Sequence, residues 1–229
     1  MKKNSFLRRN PAAFVIMPVI FSLVTLLILS FATRAFAAPY LSLVSWFFSN
    51  NQETTQPQDL FAAAGDTLQH AQEQDATIPL SSITYPADGD RYGRITIEGS
   101  AVDAPLYYGD SNPVLNQGVG TYKDDARVGI PGEGKTVMLA GHNNTFFNGL
   151  QTVKVGDVVT IETHYGTYTY TVERCDLYDY QDTTSYDFSR TDENLILYTC
   201  YPFDALGFTP ERYFVYASYT SGPVLDAAQ

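Results

Sequence analysis

Residues 194–217 read NLILYTCYPFDALGFTPERYFVYA. The apolar run Leu195, Ile196, Leu197, Tyr198 passes through Thr199 to a thiol at Cys200, and Pro202 and Gly207 then turn the chain. A second β-type run opens at Arg212. The pattern predicts two buried strands joined by a loop of about ten residues. Cys200 then stands at the end of the first strand and Arg212 at the start of the second, facing one another across the sheet edge. Upstream, the apolar run Val137 to Ala140 ends in Gly141-His142-Asn143-Asn144, so another strand also delivers a reactive side chain at its end.

Outward from this stretch the chain beyond Ile78 reads almost entirely as β. Short runs rich in Val, Ile, Thr and Tyr occur at Arg94 to Ile97, Ala104 to Tyr108, Thr136 to Ala140, Asp157 to His164, Thr167 to Val172, Asn194 to Thr199 and Arg212 to Tyr219. Turn residues separate them, as in Gly132-Glu133-Gly134 and Tyr165-Gly166. This predicts an all-β domain, an antiparallel barrel or sandwich, between which periodicity does not choose. Helix is expected only as short turns near Asn112 to Gly118 and at Thr145 to Leu150.

The N-terminal part differs. Lys2, Lys3, Arg8 and Arg9 precede an uncharged stretch from Asn10 to Thr33. From Pro11 that run is long enough to span roughly 34 Å as a helix, against a hydrocarbon core of about 30 Å. The expectation is a single-pass anchor over residues 1–34, with a cytoplasmic N-terminus and an extracellular remainder. The competing reading is a cleaved signal peptide, suggested by Ala35-Phe36-Ala37. Tyr40 to Phe48, with Trp46, suits the outer membrane interface. Residues 35–78 are expected to be this juxtamembrane segment and a polar stalk from Ser49, in which Gln58 to Glu73 has helical spacing and His70 reads as an exposed linker residue. The catalytic-type domain is expected over 79–220, with a polar tail at 221–229.

The first 34 residues hold five cations and no acids, leaving 9 basic against 25 acidic residues, a net charge of −16. Phosphate backbones would be repelled, which argues against a nucleic-acid partner.

TVMLAGHNNTFFNGL resembles the histidine-bearing strand and short helix of sortases, and LYTC followed by ERYFVYA resembles their cysteine and arginine strands. The YYGD, GVGTY and PGEG segments and the CYPF after the cysteine are most similar to class D sortases. The resemblance covers about Ile83 to Tyr219. Sortases usually carry Thr-Leu-x-Thr-Cys where this chain has Ile196-Leu197-Tyr198-Thr199-Cys200. The resemblance implies a closed, eight-stranded antiparallel sortase-type β-barrel. It further implies a membrane-anchored cysteine transpeptidase of the Gram-positive cell wall, with catalytic His142, Cys200 and Arg212 and with Thr199 in substrate contact.

The implied chemistry is acyl transfer through a thioester. Cys200 attacks the Thr carbonyl of a Leu-Pro-x-Thr-Gly-like sorting-signal peptide of a surface protein, and His142 protonates the departing amine. A peptidoglycan or precursor amine then takes the acyl group, while Arg212 holds the carbonyl or oxyanion. No cofactor is implied. Asp124, Asp125 and Glu133 match no calcium-loop spacing, so no metal is expected. Cys175, in a strand-like context, is expected to be unpaired, His164 to lie at a hairpin tip, and Asn143 and Asn144 either to orient the histidine or to turn the chain. The rivals are a cysteine peptidase that releases its product to water, and a non-enzymatic β-rich surface adhesin module.

Overall fold

In the computed structural model, residues 17–26, 57–64, 76–205, 207 and 209–227 are described, and the chain divides into two units, 1–55 and 56–229. In the first, the described residues 17–26 are helical (α1). Among the described residues no helix is long and apolar enough to cross a membrane. The rest of the expected anchor, the Ala35-Phe36-Ala37 site, the aromatic stretch Tyr40 to Phe48 and His70 lie outside the described residues.

Among the described residues of the second unit ten strands form: β1 (Thr77–Pro79), β2 (Arg91–Ile97), β3 (Asp103–Tyr108), β4 (Val119–Thr121), β5 (Thr136–Ala140), β6 (Val158–Thr163), β7 (Gly166–Asp179), β8 (Asn194–Tyr201), β9 (Glu211–Ser221) and β10 (Val224–Asp226). Eight close a barrel in the order β2-β3-β4-β5-β8-β9-β7-β6. The expected antiparallel arrangement is corrected here, because the barrel is mixed: β3 runs parallel to β4, and β5 parallel to β8. The physical reason lies in two-sided burial. β5 is buried at every position and β8 over its first four residues, as parallel strands covered on both faces tend to be. Their unbroken apolar runs in the sequence record this coverage.

The inner face is filled by Tyr92, Ile95, Leu106, Leu139, Ile161, Tyr168, Tyr170, Leu195, Leu197 and Val215. A second apolar cluster, with Met138, Ile196, Phe214, Tyr216 and Phe188 among its members, covers the outer face of β5, β8 and β9. Phe188 reaches it from the β7–β8 connection, where the Tyr216 hydroxyl also donates to the Ser185 carbonyl.

Where β5 and β8 begin, polar side chains fix their offset. The Asn194 amide donates to Thr136 Oγ1 at 3.0 Å. The Glu193 carboxylate accepts from the Gly132 and Gly134 amides at 3.1 and 2.9 Å and from the Tyr170 hydroxyl at 2.6 Å. Gly132 sits at φ +95°, where a side chain would also collide with the Tyr168 hydroxyl. β1 and β10 pair in parallel at this same end, and the Leu225 amide donates to the Gly132 carbonyl.

The folded unit begins before β1. A short helix, α2 (Leu60–Ala63), is capped by Asp59, whose carboxylate accepts from the Ala62 amide at 2.8 Å. Leu60 belongs to the barrel core. The Gln58 amide donates to the buried Asp90 at 2.6 Å, and Asp59 pairs with Arg91 at 3.0 Å. The helix expected over Gln58 to Glu73 is thus described only in its first turn. The expected turns near Asn112 and Thr145 are observed as α3 (Asn112–Leu115) and a 3-10 turn at Asn148–Thr152.

Candidate active site

β8 and β9 pair antiparallel with Cys200 opposite Arg212. Because side chains alternate along a strand, both lie on the outer face with Tyr198 and Phe214. β5 and β8 pair in parallel from Thr136 with Asn194 to Ala140 with Tyr198. His142 lies as far beyond Thr136 as Cys200 lies beyond Asn194, so this register carries the two side chains to the same height. All three are half-buried, and both cysteines are free thiols.

Each group has its own support. The His142 carbonyl accepts from the Thr145 and Phe147 amides at 3.3 and 3.1 Å, which folds the following turn back over it. Phe147 is fully buried beneath, and its ring occupies the space a Cβ on Gly141 would need. His142 Nε2 lies 3.2 Å from Asn116 Oδ1. An amide oxygen only accepts, so Nε2 carries the proton in this contact, an arrangement that also suits the imidazolium. Arg212 Nη1 donates to the carbonyls of Thr209 and Glu211 at 2.8 and 2.9 Å, and its guanidinium lies 5.8 Å from the centre of the Tyr180 ring.

A cavity of about 190 Å³ opens beside Arg212, walled by aromatic side chains of which Tyr122, Tyr186, Phe188, Tyr198 and Phe214 are the main ones. Asp179 and Met138 also line it. Near this region, burial raises the Asp110 carboxyl above its ordinary range, and the neighbouring Asp124 adds to the effect. The Tyr198 hydroxyl is likewise pushed up by burial, then by Asp110. An apolar wall that carries one cation and one carboxylate suits an extended, mostly uncharged peptide.

Thr199 points the other way. It is buried, and its hydroxyl donates to the Gly141 carbonyl at 2.7 Å, tying the cysteine strand to the residue before His142. The Cys175 thiol lies in β7 on the inner side, where burial pushes its pKa up. His164 is at the opposite barrel end, its Nε2 2.9 Å from the Thr84 carbonyl. Asp125 pairs with Arg127, whose hydrogen bonds hold its carboxyl down at about 2. Among the described residues no three potential metal-ligating side chains converge. Asn116 was not singled out by the sequence reading. Its only signal there is the turn residues that end the short helix before Gly118.

Residues 95–220 match the family of the Sortase domain. A stretch of 131 residues is 33% identical to Sortase D of Bacillus subtilis (strain 168), covering 57% of this chain and 65% of that protein. The chain thus spans slightly under two thirds of that relative's length. The catalytic domain of B. anthracis SrtD superposes with a TM-score of 0.51 at 28% identity, over 63% of this chain and 97% of that one. Sortase C of Clostridium perfringens, solved with the C-terminal cell wall sorting motif, gives 0.51 at 27% identity, over 58% and 72%. The Sortase domain match takes in His142, Cys200 and Arg212 and more than half of the chain, and the protein belongs to the sortase family.

Proposed function

We propose that this protein is a cysteine transpeptidase that cleaves a Leu-Pro-x-Thr-Gly-like sorting signal and transfers the acyl group to a cell-wall amine. The observation that carries the reading is the meeting of Cys200 and Arg212 as ladder partners, with His142 delivered to the same height by a parallel strand and Arg212 lining an aromatic-walled cavity. The Cys200 thiolate attacks the Thr carbonyl, and the C–N bond breaks as His142 gives its proton to the departing amine. The acceptor amine then attacks the thioester and loses a proton to His142, and the C–S bond breaks to restore the thiolate. Arg212 stabilises the oxyanion in both steps. The structure of C. perfringens sortase C with the C-terminal cell wall sorting motif supports a peptide of this class as substrate. The uncharged stretch from Asn10 to Thr33, with basic residues before it, supports a membrane anchor that places the barrel outside the cell.

The test is mass-spectrometric trapping of the thioester with a small library of sorting-type peptides, with and without an added amine. Amine-dependent product with a Cys200-linked intermediate is expected. Equal turnover to water would make the protein a peptidase, and absence of any adduct would favour an adhesin. Cys200→Ala should abolish the adduct. Cys175→Ala should retain transfer, because that thiol faces the barrel interior and its burial disfavours the thiolate.

A further inference from the structure

β8 ends at Tyr201, and β9 begins at its ladder partner Glu211. The first half of the connection between them is held from the histidine side. Asn143, next to His142 and only 6% exposed, directs its amide Nδ2 at the carbonyls of Pro202 and Ala205, at 2.8 and 3.4 Å. The Asn143 carbonyl in turn accepts from Asn148 Nδ2 at 3.0 Å, and that same nitrogen donates to Asp204 Oδ1 at 2.7 Å. Thr209, just before β9, is held by Arg212 through its carbonyl.

We propose that Asn143 is a positioning residue that holds the chain leaving Cys200 against the turn that carries His142, by bolting the loop after the cysteine to the loop after the histidine. The strand register fixes the heights of the two groups, and the Thr199 to Gly141 bond fixes the strands. Neither restrains the chain past Tyr201, where the Asn143 amide takes over. The chemistry of the position demands a neutral double donor. Two carbonyl oxygens face one nitrogen, so an alanine takes this donor from both, leaving the Pro202 carbonyl only the Ala205 amide at 3.3 Å, and a carboxylate opposes acceptor to acceptor. This assignment rests on the catalytic reading above.

The decisive variant is Asn143→Asp, which keeps the shape and reverses the hydrogen-bonding sense. Near pH 8 its carboxylate repels both carbonyls. Near pH 5 a protonated fraction, enlarged by the opposing oxygens, donates one bond. Single-turnover acylation of Cys200 by a sorting-type peptide, expressed as a ratio to wild type at each pH, cancels the pH dependence that both proteins share. The ratio is expected to fall on the order of 100-fold at pH 8 and to recover substantially at pH 5, with the peptide KM little changed. Asn143→Ala should show the loss without the recovery. Iodoacetamide alkylation of Cys200 is run in parallel, since it reads the cysteine environment whether or not the protein is a transpeptidase. An Asn143→Asp alkylation profile displaced from wild type is expected there too. A pH-independent ratio near one in both assays would overturn the positioning role. Failure of wild type to acylate, with the alkylation profile still displaced, would overturn the catalytic reading alone.

Discussion

Arg212 shows how much a single side chain is asked to do. One of its terminal nitrogens is spent on the Thr209 and Glu211 carbonyls, which pins the guanidinium to its own loop. The remaining N–H donors of the fork stay available to a substrate carbonyl or oxyanion. Lysine has one ammonium on a flexible stem and is a poor match for both tasks at once. Arg212→Lys is therefore expected to be nearly as damaging as Arg212→Ala, with a loss on the order of 100- to 1000-fold in single-turnover acylation. Retention of most of the rate by the lysine variant, with unchanged thermal melting, would reduce Arg212 to a general electrostatic partner. Thr199 carries a related lesson. The motif resemblance suggested substrate contact, whereas its buried hydroxyl is engaged with the Gly141 carbonyl, and a strand's alternation explains why the neighbour of an outward Cys200 faces inward.

Among the elements, the β5 and β8 pair governs the site, because two parallel neighbours must start in register to end in register. Glu193 and Asn194 set that start through Gly132, Gly134 and Thr136. Glu193→Ala would leave two loop amides and the Tyr170 hydroxyl without their acceptor, and about 2 to 4 kcal/mol of stability should be lost in chemical denaturation. The carboxyl also carries a pH signature. Burial raises its pKa in the folded state, outweighing the hydrogen bonds from Tyr170, Gly132 and Gly134 that pull the other way. A raised folded value means the folded state holds the proton more tightly. The resulting stabilisation is complete below the unfolded value of about 4.3 and is lost as pH rises through the folded one. The stability margin of wild type over Glu193→Gln should therefore be larger at pH 4 than at pH 7, and a margin that grows with pH would contradict this.

At the scale of the molecule, the barrel has two unlike ends. Cys200, His142 and Arg212 gather at one, while β1, β10 and the Glu193 contacts lie at the other. The segment around α2 joins the barrel at the start of β2, through Leu60 in the core and Gln58 on Asp90. The sequence reading treats residues 35–78 as a juxtamembrane segment and stalk, and these contacts bring its part around Gln58 to Leu60 into the folded unit. A protein beginning at Gln56 should keep full stability. One beginning at Ala76 should still fold and acylate, but it forfeits the burial of Leu60 and the Gln58 bond, about 2 to 4 kcal/mol together. Equal denaturation midpoints for the two truncations would show the segment to be passive.

The sequence by itself determined which residue types stand at strand ends. Apolar β-type runs closed by Gly141-His142 and by Thr199-Cys200, with a restart at Arg212, are local patterns, and local patterns are what periodicity reports. Seven of the strands were legible for that reason. β4, with three residues, was too short to show a period, and the half of β7 beyond the bulge at Val172 and Arg174 was masked by the bulge's break in alternation. Only the tertiary structure decided that β5 and β8 run parallel, since a run buried on both faces looks the same whichever way its neighbour points. That direction brings His142 level with Cys200. It also lets Asn143 reach the Pro202 and Ala205 carbonyls, contacts between residues some sixty positions apart in the chain that no local pattern encodes.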